Sequence, residues 1–300
     1  MVKFIFGVLL LLSVLVYASR QGPLFKQVMA IPLPLIVEIC SLYLISQVLS
    51  AYKWKLILDS LNERKPFFDC LKAYFLGMYI NSFGLGIVGG DVVRALTIDA
   101  NSKRVAILSV LFDRLHGFLV LATLGGISGF ILLPEVKNLY YLLVPMLQLS
   151  ISVVGFLIVF LSFYLTRVSF FQRWSNILDA FAFTSSLSWR NLLWLSFLSA
   201  IFHVIQIFSL VIYAAEFDIN VSYFDWLAVM PLVNIASSLP ISWNGVGIRE
   251  SLLILYLTPN PFSITQVVTY SLIWLFAVIF GSILGAVIAI FGNFNFKLKS

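Results

Sequence analysis

NSFGLGIVGGDVVR, residues 81–94, is a polar, glycine-rich stretch within an otherwise apolar region of the chain. A second stretch, NIASSLPISWNGVGIRE at residues 234–250, is similar, because glycines and polar residues again interrupt an apolar region that ends in an arginine and an acid. We call these the first and the second polar segment. They lie about half a chain apart, which predicts a membrane protein of two related halves with its functional site where the halves meet.

The composition is that of a membrane protein. Of the 300 residues, 61% are hydrophobic and 11% are charged, whereas soluble domains are about half apolar and about a quarter charged. Backbone amides at bilayer depth need partners within the protein, so the sequence predicts an all-α, polytopic membrane bundle. The net charge of +6 comes from cations spread singly or in pairs between apolar runs. We interpret them as orientation signals and not as a nucleic-acid surface.

Neither a metal site nor a cofactor is expected. Cys40 and Cys70 have no histidine at metal-ligand spacing, and the chain has no nucleotide-binding motif. We interpret both cysteines as packing residues.

Apolar runs that are long enough to cross a bilayer, about 17 to 25 residues, predict six spans. They lie at 4–19, 32–52, 105–132, 139–165, 191–215 and 264–292. The first run, residues 4–19, also fits a secretory signal peptide. Two further stretches, 67–88 and 224–258, are apolar but interrupted by glycine, proline and asparagine.

The distribution of cations predicts that both interrupted stretches are re-entrant hairpins, because Lys and Arg collect in cytoplasmic loops. With both hairpins returning to the side they enter from and the N-terminus inside, the predicted cytoplasmic set is Lys3, Lys53, Lys55, Arg64, Lys65, Arg94, Lys103, Arg104, Arg167, Arg173, Arg190, Lys297 and Lys299. Only Arg20, Lys26 and Lys137 then lie outside. A full crossing at 67–88 would remove most of this asymmetry. We therefore predict a multi-pass protein of the cell membrane with cytoplasmic N- and C-termini.

This topology is an inverted repeat within one integral membrane domain. Residues 1–132 form the first membrane repeat, and residues 139–292 form the second with every direction reversed. The two hairpins would open to opposite sides of the membrane, as in alternating-access transporters that bind at the midplane.

The glycines of the first polar segment predict a loosened backbone after Asn81. Gly89 and Gly90 precede Asp91 and Arg94, and amides released from a regular helix can bind an anion such as phosphate. The alternative is a hairpin tip at which Asp91 caps the next helix and Arg94 follows the cation rule.

The second polar segment combines polar groups with a charged pair. Its candidate site residues are Asn234, Asn244, Gly245, Gly247, Arg249 and Glu250. An arginine beside a glutamate provides a charged fork for a lipid phosphate, together with an acid that holds the fork. A structural ion pair at a hairpin tip is the alternative.

Three ionisable side chains, Asp113, Arg114 and His116, lie well inside the run 105–132. Such groups are costly at that depth, so they are expected to face the bundle interior or a wet cavity. Asp113 and His116 share a helix face through their i, i+3 spacing, whereas Arg114 points elsewhere. We interpret Arg114 as a headgroup contact and the Asp113–His116 pair as its partner or a proton relay. A buried ion-pair network that locks helices together is the alternative.

The motifs at 89–94, 113–117 and 245–250, preceded by Asn81 and Pro240, occur in an order that resembles a known family. It is the flippase-like membrane family related to the transmembrane part of lysylphosphatidylglycerol synthase. The resemblance implies movement of a charged or glycosylated lipid between leaflets. Phe83 and Gly84 replace the Leu-Pro that usually follows the asparagine. The sequence has no soluble aminoacyl-transfer domain before Ser300, so lysyl-lipid synthase activity is not expected.

We therefore predict a flippase or transporter, and not an enzyme, whose partner is a membrane lipid with an anionic headgroup, either a phospholipid or a polyprenyl-phosphate-linked lipid. The predicted binding residues are Asn81, Gly89, Gly90, Asp91, Arg94, Asp113, Arg114, His116, Asn234, Asn244, Gly245, Gly247, Arg249 and Glu250. The arginines would hold the phosphate and the acids would orient them. One alternative is a membrane-embedded transferase for a lipid-linked sugar or phosphate, with Asp113 and His116 as the general base. Another is a non-catalytic membrane partner subunit.

Overall fold

The computed structural model describes residues 2–83, 86–131, 145–157, 187–219, 223–238, 242–257 and 262–291. Within these ranges the chain is helical and has no strand, which confirms the predicted all-α class. The helices are α1 Val2–Gln21, α2 Leu24–Met29, α3 Leu33–Ser60, α4 Phe67–Phe83, α5 Gly86–Thr97, α6 Lys103–Ile131, α7 Pro145–Leu157, α8 Trp189–Glu216, α9 Tyr223–Ser238, α10 Ile248–Leu257 and α11 Ile264–Phe291. A 3-10 turn, Trp243–Gly245, precedes α10.

Four helices are long and apolar enough to cross a membrane. They are α3, α6, α8 and the part Ile264–Val287 of α11, and they coincide with four of the predicted spans. The described apolar parts of the other two are shorter, Val8–Gln21 in α1 and Pro145–Leu157 in α7; the rest of the run 139–165 lies outside the described residues. The protein is therefore a multi-pass membrane protein.

Helices α4 and α5 pack along each other, and we call them the first hairpin. The 12 residues of α5 extend about 18 Å, less than the roughly 30 Å of a bilayer core. Glu63 lies before α4 and accepts hydrogen bonds from the backbone N–H groups of Asn101 (3.0 Å) and Ser102 (3.1 Å), which follow α5. The two ends of the first hairpin are thus tied together, beside the start of α6.

The second hairpin consists of α9, the turn Trp243–Gly245 and α10. Its two ends also lie together, because the ring of Trp226, early in α9, packs against Phe262, which follows α10, with centroids 5.2 Å apart. A Cβ atom on Gly125, late in α6, would lie 2.8 Å from Pro231 of α9. Helix α9 therefore packs along the later part of α6, whereas the base of the first hairpin lies beside the start of α6.

The two halves of the chain exchange packing partners. The first-half helix α4 packs against α11, the last helix of the second half, and the second-half helix α9 packs against α6, the last helix of the first. In the same way α1 contacts α11, α7 lies against α6, and α3 packs against α8. The largest apolar core runs between α3, α4, α8, α9 and α11. Any site between the hairpins consequently has walls from both halves.

The prediction of a loosened backbone in the first polar segment is wrong for residues 86–94, which belong to α5. The glycines serve close packing instead: a Cβ atom on Gly77 of α4 would lie only 2.9 Å from the carbonyl oxygen of Gly90. Asp91 lies inside this helix and does not cap it, so the capping alternative is also wrong. Residues 84 and 85 of the segment lie outside the described residues.

Candidate functional site

The tips of the two hairpins meet. Trp243 of the second hairpin donates its indole N–H to the carbonyl oxygen of Ser82 in the first (2.6 Å). The Asn244 amide donates to the Ser82 hydroxyl (3.1 Å), which also lies 2.7 Å from the hydroxyl of Ser282 in α11. The two polar segments, far apart in sequence, are therefore neighbours in the fold.

The backbone of the second polar segment is irregular at residues 242–247, between α9 and α10. Asn244, Gly245 and Gly247 have φ values of 51°, 71° and 85°, in the left-handed region that glycine adopts without a steric penalty. A Cβ atom on Gly245 would also lie 2.6 Å from the Ser237 side chain. The glycines let the chain turn sharply before Arg249.

A cavity of about 250 Å³ lies between the hairpin tips and the middle of α6. All three arginines of the sequence prediction line it: Arg94 from α5, Arg114 from α6 and Arg249 from α10. We call it the arginine cavity. Its other polar lining residues include Gln47, Asn81, Asp91, His203, Asn234, Ser237 and Asn244. The predicted site residues Gly89, Gly90, Gly245 and Gly247 do not line it.

Arg114 forms a fork with Asp91. Its Nε lies 3.0 Å from Oδ2 and its Nη2 lies 2.9 Å from Oδ1 of that carboxylate. The two side chains are 36% and 21% exposed, so this pair is the most accessible of the ion pairs at the cavity. A bidentate pair of this kind fixes the plane of the guanidinium group.

Arg94 is held much more tightly. Its Nη2 donates to Oδ2 of Asp113 (2.8 Å), and its guanidinium lies over the rings of Trp54 (4.0 Å to the centroid) and Tyr74 (4.6 Å). Lys53 Nζ lies 3.0 Å from the other carboxylate oxygen, Oδ1, of Asp113. Asp113 therefore forms ion pairs with two buried cations, Lys53 and Arg94.

The assignment of Lys53 and Arg94 to the cytoplasmic loops is wrong, because both are buried inside helices. Lys53 continues a stripe of buried polar residues on α3 at helical spacing, which consists of Ser46, Gln47, Ser50 and Lys53. Polar residues at helical spacing along an apolar span indicate a polar cavity wall, and this signal could have identified Lys53 from the sequence.

Arg249, Glu250 and Ser271 form a closed network. Arg249 Nε donates to the Ser271 hydroxyl (3.0 Å) and its Nη2 lies 3.2 Å from Oε1 of Glu250. Glu250 also accepts hydrogen bonds from the Ser271 hydroxyl and the Gly247 backbone N–H. The ion pair between Arg249 and Glu250, which was the alternative to phosphate binding, is therefore formed, and Arg249 also lines the cavity.

The expected Asp113–His116 pair is not formed. The Asp113 carboxylate is engaged by Lys53 and Arg94, whereas His116 Nε2 lies 3.0 Å from the Ser196 hydroxyl of α8. His116 borders a separate, apolar cavity of about 760 Å³ between α6, α7 and α8. Asp113 and His116 lie on one helix face, but cations from α3 and α5 bind the carboxylate instead of the imidazole.

Comparison with protein families gives a match over most of the chain. The model of the family described as "Lysylphosphatidylglycerol synthase TM region" matches residues 2–285. No curated protein matches the chain. Since the family match includes both polar segments and every helix that lines the arginine cavity, this chain belongs to the lysylphosphatidylglycerol synthase TM region family.

Proposed function

We propose that this protein binds the anionic headgroup of a membrane lipid in the arginine cavity and moves the lipid between leaflets. The observation that carries the proposal is that Arg94, Arg114 and Arg249, from three separate helices, line one cavity where the hairpin tips meet. Guanidinium groups match the geometry of phosphate oxygens. A phospholipid and a polyprenyl-phosphate-linked lipid both carry such a group.

The packing of the hairpins supports a transport architecture. The two ends of each hairpin lie close together, and the base of the first hairpin lies beside the start of α6 whereas α9 of the second packs along its later part. This arrangement favours two opposed re-entrant hairpins beside six spans. The exchange of partners between residues 1–132 and 139–292 is what a pseudo-two-fold axis in the membrane plane produces, and inverted repeats of this kind place their substrate site at the midplane.

Binding and release would proceed through the accessible Arg114–Asp91 pair. A phosphate that enters the cavity competes with the Asp91 carboxylate for the same N–H donors, and Asp91 takes them back when the headgroup leaves. Arg94 and Arg249 are held in place by their buried partners, so their positions at the cavity wall are preorganised.

Opening the cavity to either side requires the hairpin tips to part. Among the described residues, Trp243 and Asn244 of one tip donate hydrogen bonds to Ser82 of the other. Each such bond contributes only about 1 kcal/mol net, so this contact is cheap to break and remake. That property suits a gate that moves in every transport cycle.

The orientation of the protein in the cell membrane follows from its remaining cations. Without Lys53 and Arg94, the Lys and Arg residues of the predicted cytoplasmic side still outnumber those outside, which are Arg20, Lys26 and Lys137. This asymmetry supports cytoplasmic termini.

The test is lipid movement in vesicles that contain the purified protein and a phospholipid with a reducible fluorophore on its headgroup or tail. A membrane-impermeant reductant bleaches only the outer leaflet, so transport increases the bleached fraction above that of protein-free vesicles. We expect Arg114→Gln and Arg249→Gln to abolish most of the protein-dependent movement. Arg190→Gln, a change at an exposed residue outside the cavity, is the matched control and should leave it intact.

Unchanged movement in the two cavity variants would overturn the proposal. Movement in none of the samples, together with a stoichiometric subunit that co-purifies from the native membrane, would favour the non-catalytic partner subunit. The transferase alternative relied on Asp113 and His116 as a general base, and the contacts of the two side chains do not form that pair.

A further inference from the structure

We infer that Lys53 gives the arginine cavity its surplus positive charge and thereby sets its preference for anionic over neutral headgroups. The inference rests on the proposed function and adds to it a positioning residue that none of the three motifs contains. Lys53 acts through Asp113 and Arg94, because it is not itself part of the cavity lining.

Lys53 is buried against the middle of α6. Its side chain is 6% exposed, its Nζ lies 3.0 Å from Oδ1 of Asp113, and it lies 3.5 Å from the carbonyl oxygen of the same residue. A Cβ atom on Gly117 would lie 3.6 Å from this ammonium group. The ammonium is thus held between α3 and α6 and does not reach bulk water.

The charges at the cavity do not balance. Among the described residues, the charged groups that line the cavity and their direct ion-pair partners are four cations, Lys53, Arg94, Arg114 and Arg249, and three acids, Asp91, Asp113 and Glu250. Four minus three leaves a net charge of +1. Arg114 with Asp91 and Arg249 with Glu250 are neutral pairs, so the surplus lies in the group formed by Lys53, Asp113 and Arg94.

The surplus positive charge reaches the cavity through Arg94, because Lys53 forms an ion pair with one of the two carboxylate oxygens of Asp113. Arg94 then shares the carboxylate with a second cation and is only partly neutralised. Its Nε is buried and has no hydrogen-bond partner among the described residues. The rings of Trp54 and Tyr74 pack against the guanidinium.

A buried group with a net charge is costly, and an incoming anion offsets that cost. A zwitterionic headgroup offers no net compensation, so the surplus discriminates between the two headgroup classes. If Lys53 were only a structural partner of Asp113, its removal would weaken the fold but would not change the relative binding of two lipids.

The test compares the binding of dioleoyl phosphatidylglycerol and dioleoyl phosphatidylcholine, which share their acyl chains, to the purified full chain by native mass spectrometry. The readout is the anionic-to-zwitterionic ratio. Lys53→Met lowers the net charge to zero and is expected to reduce the ratio about tenfold, as for a charge several ångströms away in a protein-like dielectric. Asp113→Asn raises the charge and is expected to increase the ratio.

The double variant Lys53→Met with Asp113→Asn restores the net charge of +1 and is expected to recover the wild-type ratio. Lys53→Arg should keep it as well. Lys55→Met is the matched control, because Lys55 pairs with Asp59 on the same helix and not with a cavity residue.

A wild-type protein without anionic preference would refute the proposed function itself. A wild-type preference that survives in Lys53→Met, or a double variant that stays as low as Lys53→Met, would overturn the inference about Lys53 alone. Each measurement is the ratio of two lipids bound in one sample, so a smaller amount of folded protein does not by itself change the ratio.

Discussion

Replacing Gly90 by alanine is expected to separate α4 from α5 and to destabilise the site. In the structure, a Cβ atom at this position would overlap both the Asn81 side-chain oxygen and the carbonyl oxygen of Gly77. The carbonyl belongs to a helix backbone and cannot rotate away. Arg94 lies one helical turn further along α5, so the movement also displaces a cavity arginine.

The magnitude follows from two opposing effects. Alanine is favoured over glycine inside a helix by about 1 kcal/mol, whereas overpacking of a tight contact costs about 1 to 3 kcal/mol. Because the overlap includes backbone on the facing helix, we expect the upper end of that cost and a net destabilisation of about 2 kcal/mol. The sign is therefore opposite to the one that helix propensity alone gives.

The assay is thermal unfolding in detergent, followed by intrinsic tryptophan fluorescence, with Gly117→Ala as the matched control. Gly117 is also buried inside a helix, but its added Cβ would meet Lys53 and Ser199 only at 3.6 and 3.9 Å, which are ordinary contact distances. We expect a lower Tm for Gly90→Ala and an unchanged or higher Tm for Gly117→Ala. Equal or higher Tm values for both variants would refute the account of α4–α5 packing.

Three further predictions concern the hairpin base, the hairpin tips and the cavity fork. Glu63→Gln replaces one of the oxygens that accept backbone N–H groups by a donor, and it should cost about 1 to 3 kcal/mol, seen as a lower Tm and faster hydrogen exchange at the start of α6. Trp243→Phe keeps an aromatic side chain but removes the indole N–H that binds Ser82, so we expect a loss of about 1 kcal/mol and a measurable change in the rate of lipid movement. Arg114→Lys keeps the charge but cannot form the fork with Asp91, and it should weaken anionic lipid binding about tenfold or more in the native mass spectrometry assay. An unaltered exchange pattern, an unaltered transport rate or an unaltered lipid affinity, respectively, would contradict these expectations.

The helical class and the presence of three candidate arginines at one cavity could be predicted because both depend on properties that are local in sequence. Apolar length alone identified α3, α6, α8 and most of α11. Buried charge identified Arg114, since an arginine well inside an apolar run has few places to face other than a cavity. The two polar segments drew attention to the hairpin tips, which do contact each other at Ser82 and Trp243.

The structure departed from the prediction where the outcome depended on a partner from another helix. The glycine-rich composition predicted an unwound backbone around Gly90. In the structure Gly90 lies within the regular helix α5, and the missing side chain lets α5 pack closely against Gly77 of α4. The spacing of Asp113 and His116 indicated a pair, but Lys53 and Arg94 approach from α3 and α5. The spacing of residues along one helix does not indicate which side chains of other helices will contact them.

The two polar segments resemble each other in sequence but differ in what they contribute to the cavity. The charges of the second segment neutralise each other, because Arg249 pairs with Glu250 of the same helix and donates a hydrogen bond to Ser271 of α11. The first leaves its arginine, Arg94, dependent on a carboxylate that another cation shares. Under the proposed function, an anion in the cavity would gain most from the wall formed by α3, α5 and α6, where the surplus charge lies. The unequal charge would then distinguish the contribution of the first polar segment to binding from that of the second.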